Sequence, residues 1–167
     1  MAITINGTGT ISGLTTTGIS AVQKLPAGTV LQVVTGFLST ETTVTNTNFT
    51  STGLTATITP SSTTSKILII CSLGDIAVTY ASGGNAMKCN LTRNGSQVGA
   101  QFGSQWLYIN NNTGTYIGPA AFTYTDSPSS TSALTYLVNM GSTNGLSTVK
   151  ICRDNTQATI TLMEIAQ

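Results

Sequence analysis

Histidine is absent from these 167 residues, and charge of either sign is scarce: six lysines and arginines against five aspartates and glutamates, 7% of the chain. Histidine is the side chain whose ordinary pKa lies between pH 5 and 8. Without it, a serine or cysteine nucleophile would need a lysine base or a rarer device. The acids, Glu41, Asp75, Asp126, Asp154 and Glu164, show no paired spacing of the kind glycoside hydrolysis requires. Glu41 and Asp126 fall in polar stretches and read as solvated surface. An enzyme is therefore not expected. The basic residues, Lys24, Lys66, Lys88, Arg93, Lys150 and Arg153, are scattered, so no cluster is available to neutralise phosphates and no nucleic-acid partner is expected.

Long apolar runs are missing too. No stretch approaches the about 18 residues a membrane helix needs, so no membrane partner is expected. The opening MAITINGTGT has neither the basic start nor the apolar core of a secretory signal, and folding in a cytosol is the expectation. Cysteine occurs three times, Cys71, Cys89 and Cys152, with no CxxC spacing and each inside a strand-like run. These read as buried, reduced thiols rather than a disulfide or a metal site. The glycines of NGTGTISG have the wrong spacing for a phosphate loop. No cofactor is expected.

What the chain does have is threonine in nearly every segment, interleaved with valine, isoleucine and leucine. Threonine is β-branched, which restricts its χ1 angle and favours the extended backbone. Alternating it with aliphatics builds sheets with an apolar inner face and a hydroxylated outer one.

Residues 1–27 stand apart as an extended N-terminal docking arm. Its aliphatics, Ile3, Ile5, Ile11, Leu14 and Ile19, are isolated among Gly and Thr, too few for a core of their own. Residues 28–167 form the head domain. Strands are expected over 29–35, 54–59, 66–72, 87–93, 96–98, 121–125, 133–140, 149–153 and 159–165. Lys66–Ser72 (KILIICS) is apolar on both faces and reads as a central strand covered on two sides. Asn94-Gly95 suits a type I′ turn and makes 87–98 the firmest hairpin. Residues 99–118 read as a long loop. The many short strands, broken by Gly, Ser, Asn and Pro, imply an all-β fold: an antiparallel β-sandwich of jelly-roll type.

Two patches bear on partners. In the last strand, Leu162, Met163 and Ile165 cannot share one face without a bulge; if both faces are apolar, one meets the core and the other a partner chain. Glu164 would then lie near that interface and need a Lys or Arg. In QWLYINNNTG, Trp106 and Tyr108 with Asn110, Asn111 and Asn112 combine aromatic faces with amides that could bind a sugar, but the leading reading packs Trp106 over the sandwich end or in a subunit contact.

The segments GTVLQVV, TATITPSSTTSKILIICS, MKCNLTRNGSQVG, ALTYLVNM and ATITLMEIAQ follow one another in an order that resembles the trimeric jelly-roll heads of the C1q and tumour-necrosis-factor type. The wording of residues 28–72 and the ITINGTGTISG arm is also similar to small virion proteins of tailed bacteriophages, both head-decoration and tail-fibre modules. That resemblance implies a homotrimer with inner-sheet strands at a threefold axis. It also implies a location in the virion and partners among other virion proteins, first the major capsid protein. Within it, a capsid decoration (cement) protein leads. A short head or tail fibre knob that binds a host-surface receptor or glycan is the alternative, and a carbohydrate-active enzyme comes last.

Overall fold

The computed structural model describes residues 25–80, 85–109 and 113–167. Among them, ten strands follow in chain order: β1 (Val30–Leu38), β2 (Thr42–Val44), β3 (Thr50–Ile58), β4 (Lys66–Tyr80), β5 (Asn85–Arg93), β6 (Ser96–Ile109), β7 (Gly114–Asp126), β8 (Leu134–Ser142), β9 (Ser147–Ile151) and β10 (Ala158–Ile165). All pairings are antiparallel. The smaller sheet runs β3-β8-β5-β6. In the larger, β1, β10, β4 and β7 lie side by side, and β9 and β2 extend it. With the short β2 and β9 set aside, the eight main strands are dealt between the sheets in the double Greek-key order of a jelly roll. The protein is an antiparallel β-sandwich.

β4 is the spine of the larger sheet. Its first half, Lys66–Ser72, pairs with β10, and its second half, Ala77–Tyr80, pairs with β9 along the same edge. A single 3₁₀ turn, Arg153–Asn155, carries the chain from β9 into β10 beside the irregularity between Ser72 and Asp75. There the Asp75 amide donates to Thr156 Oγ1 at 3.0 Å.

Period-two alternation explains the core. In β3, Leu54, Ala56 and Ile58 point inward between exposed threonines; in β10, Ala158, Ile160 and Leu162 point inward between half-buried threonines. Ile67, Ile69, Leu73, Met87, Leu91 and Tyr136 complete a continuous apolar interior. The three cysteines lie in it, buried and unpaired, and burial pushes the Cys71 thiol up to about 12.

The sandwich closes along two seams. At one, β1 crosses β3 so closely that a Cβ on Gly36 would stand 1.9 Å from the Thr55 carbonyl oxygen, so only glycine fits. At the other, Phe102 of β6 stacks on Phe122 of β7 with centroids 4.4 Å apart, and Tyr124 meets Phe102 edge-on at 5.6 Å.

The sequence expectations need three corrections. Residues 99–118 are mostly strand, not a long loop: β6 runs to Ile109 and β7 begins at Gly114. Left-handed residues at Gly99, Gly103 and Leu107 break the alternation there and hide the strands from a period-two reading. Lys66–Ser72 is central, but the described residues cover only its inner face; Ile70 is 38% exposed on the outer one. Asp126 is not a solvated loop acid. It ends β7, buried, and accepts from both Arg93 and Tyr136. The Asn94-Gly95 hairpin stands where the sequence puts it, with both residues at positive φ.

Candidate interaction surfaces

The outer face of the larger sheet follows from strand register. Three rows cross β1, β10, β4 and β7 in turn: Val33, Met163, Leu68, Thr125; then Thr35, Thr161, Ile70, Thr123; then Phe37, Thr159, Ser72, Ala121. None of these twelve positions is ionisable. Val33 is 54% and Phe37 69% exposed, far from the usual fate of large apolar side chains. Six of the twelve are Thr or Ser, so hydroxyls alternate with the apolar side chains. Thr35 and Thr161 already share a hydrogen bond at 3.3 Å, which leaves their methyls as part of the apolar relief.

The outer face of the smaller sheet has the same pleat and the opposite chemistry. Across β8, β5 and β6, Asn139 donates to Asn90 at 3.1 Å, and Asn90 donates to Gln97 at 2.9 Å. Thr57 and Thr135 share a hydrogen bond at 2.8 Å, and Lys88 sits 4.8 Å above the Phe49 ring. Its polar groups satisfy one another laterally.

β10 divides the residues singled out in the last strand. Its burial alternates without a bulge: Met163 and Ile165 face outward, Leu162 and Glu164 inward. Glu164 therefore lies away from the outer face, and its partners are neutral rather than Lys or Arg. Oε1 accepts from the Ser61 amide at 2.7 Å, the Ser61 hydroxyl at 2.6 Å and the Ser65 hydroxyl at 2.7 Å; Oε2 accepts from Gln32 Nε2 at 2.6 Å. Burial works to raise this carboxyl's pKa. The hydrogen bonds from Ser61, Gln32 and Ser65 outweigh it and hold the pKa below the ordinary carboxylate value. Glu164 is thus a clasp that binds the β3–β4 connection and β1 to β10.

A second clasp joins the sheets. Asp126 of β7 accepts from Arg93 of β5 and, at 2.7 Å, from the Tyr136 hydroxyl of β8. Burial first, and then the bond to Asp126, raise the Tyr136 phenol above its ordinary range. Glu41 pairs with Lys150 at 2.5 Å at the surface.

The aromatic patch is split as well. Trp106 is half-buried, stacked 6.3 Å from Phe122 and lying across Gly103, where a Cβ would come within 2.3 Å of the indole. It belongs to the β6–β7 seam. Tyr108 is 50% exposed, and Tyr116 and Ile117 are exposed on β7. Asn110, Asn111 and Asn112 lie outside the described residues, as do Ile3, Ile5, Ile11, Leu14 and Ile19 of the arm.

Sequence reasoning missed Phe37 and the row structure of the outer face. The signal was present: in VVTGFL, Val33 and Phe37 alternate with Val34 and Leu38, so both faces of β1 are apolar. Among the described residues no cluster of His, Cys, Asp and Glu is arranged to hold a metal, and no helix is long and apolar enough to cross a membrane. Neither the protein-family models nor the curated proteins include a match to this chain.

Proposed function

We propose that this chain is a non-enzymatic structural protein of a phage virion, a homotrimeric decoration (cement) protein of the capsid. In this reading the outer face of the larger sheet packs against its copies, and the N-terminal arm reaches the major capsid protein or a neighbouring trimer. The observation that carries the self-association is that face: twelve register-matched positions without a charge, with Phe37 and Val33 largely exposed. Large apolar side chains exposed together on an uncharged face mark association sites, and closed cyclic symmetry is the usual form of homo-oligomers. The virion assignment draws on the resemblance of sequence and arm. A low-charge threonine surface suits it, because few exposed ion pairs are there for varying salt to screen.

The alternative is a short fibre knob that binds a host-surface glycan. Exposed Tyr108 and Tyr116 favour it, although Trp106 is engaged in the β6–β7 seam.

The deciding experiment is the copy number of this chain in purified virions, by quantitative mass spectrometry against the major capsid protein. Hundreds of copies are expected for decoration. A few to a few tens place the chain at a tail or vertex and favour the fibre.

A further inference from the structure

One end of the sandwich holds the Glu164 and Asp126 clasps. The other holds four buried polar side chains of its own. From the larger sheet come Tyr80, the last residue of β4, and Ser147, the first of β9, 5% and 4% exposed. They are register partners, two residues along from the partners Val78 and Val149, so alternation puts all four on the inner face. From the smaller sheet come Asn85, the first residue of β5, and Ser142, the last of β8, both fully buried. The sheets converge here: Cα atoms of β9 come within 8 Å of those of β5 and of β8, closer than the about 10 Å usual between packed sheets.

The two sheets differ in how their polar atoms are served. Asn85 Nδ2 donates to Ser142 Oγ at 3.0 Å. Asn85 Oδ1 accepts from the Ala86 and Thr143 amides at 2.7 and 3.2 Å and from the Thr143 hydroxyl at 2.6 Å. Tyr80 Oη and Ser147 Oγ, by contrast, have no hydrogen-bond partner among the described residues, and both atoms are shut off from solvent. Hydroxyls buried in that condition cost free energy, and native interiors keep few of them. All four side chains are neutral, so an ion would be buried without a counter-charge. An apolar ligand would leave the hydroxyls unpaired. Water donates and accepts at once and needs the least room.

We infer that a water molecule is bound between the sheets at this end, bridging Tyr80 Oη and Ser147 Oγ. Asn85 Nδ2 has a second hydrogen to give and is its third partner, which brings the water to the about three hydrogen bonds that buried waters make. The water links β4 and β9 to β5, as Asp126 links β7 to β5 and β8 at the opposite end. It extends the satisfied Asn85–Ser142 network to the larger sheet.

The test combines water-selective nuclear Overhauser measurements on the full chain with a thermal double-mutant cycle of Tyr80→Phe, Ser147→Ala and the pair. The expected result is a long-lived water signal on the Asn85 side-chain amide that disappears in the double variant. Each single variant should melt about 3 °C lower than the parent. The double variant should melt little below the worse single, because the first substitution already releases the water. A higher melting temperature in Tyr80→Phe would show that this hydroxyl sits dry and would overturn the inference. Losses that add in full would overturn it by showing that the two hydroxyls are served separately. Coupled losses without the water signal would overturn it in favour of a direct bond between the hydroxyls. These measurements need only the isolated chain, so they stand or fall independently of the copy number in virions.

Discussion

The outer faces of the two sheets are built from the same stock of threonine and differ in what stands between the threonines. On the smaller sheet those positions hold Asn90, Asn139, Gln97 and Lys88, whose polar groups pair sideways across the strands. On the larger sheet they hold Val33, Phe37, Leu68, Ile70 and Met163, which have no such lateral partners and leave apolar area open. Threonine fits either surface because it offers a methyl and a hydroxyl together. The neighbours, not the threonines, set whether the outer face is apolar or a network of paired amides, and in that network Asn90 and Asn139 are themselves buried.

Substitutions that swap the characters of the faces test this contrast, and the largest effect belongs to the apolar one. Ile70→Lys places a charge at the middle of the central row. If copies pack there, sedimentation should show loss of the trimer, with association weakened at least a hundredfold, because an unpaired buried charge costs about 3–5 kcal/mol. Thr92→Lys, on the opposite face, should leave the oligomer intact. An unchanged trimer in Ile70→Lys would remove the proposed interface.

Next in size is the clasp beneath both faces. Asp126→Asn removes the carboxylate that Arg93 and Tyr136 share, and chemical denaturation should show a loss of about 3 kcal/mol. Glu164→Gln, by the same measurement at pH 7, should cost about 2 kcal/mol, since hydrogen bonds to a charged group are weakened. The sign of its pH dependence follows from a folded pKa held below the unfolded one. Glu164 contributes stability above the unfolded value of about 4.3, and that contribution fades as pH falls through the folded value. The gap between wild type and Glu164→Gln should therefore narrow on acidification; a gap that stays constant from pH 7 to pH 2.5 would refute the clasp.

The smallest effect is expected on the polar face. Asn139→Ala breaks one rung of the amide ladder and should cost about 1 kcal/mol without changing the oligomer. A change in sedimentation there would mean that the two faces are less different than their chemistry indicates.

Much of the strand pattern was legible because threonine and aliphatics alternate with the pleat, and Asn94-Gly95 announces its turn. Alternation says nothing about what covers a face, so KILIICS reads as buried on both sides, whereas among the described residues its outer side is open. Glu164 was located but its partners were not. Ser61 and Gln32 lie 103 and 132 residues away in sequence, and no local pattern connects them. Asp126 failed for a like reason: its surroundings TDSPSS are those of a loop, and its partners Arg93 and Tyr136 come from other strands, β5 and β8. In 99–118 the positive-φ residues interrupt period two, so the pattern vanished where the strands continue.

The two seams carry a consequence for aggregation. A chain this rich in β-branched residues and this poor in charge has the composition that feeds edge-to-edge strand addition when a sheet rim is open. Here β1 lies against β3 at Gly36, and the stacked rings of Phe102, Phe122 and Trp106 tie β6 to β7, so the rims of each sheet are turned toward the other. Glycine at 36 and the aromatic stack thus occupy the places that lysines and prolines take on the edge strands of other proteins, closing β1 onto β3 and β6 onto β7 against strand addition.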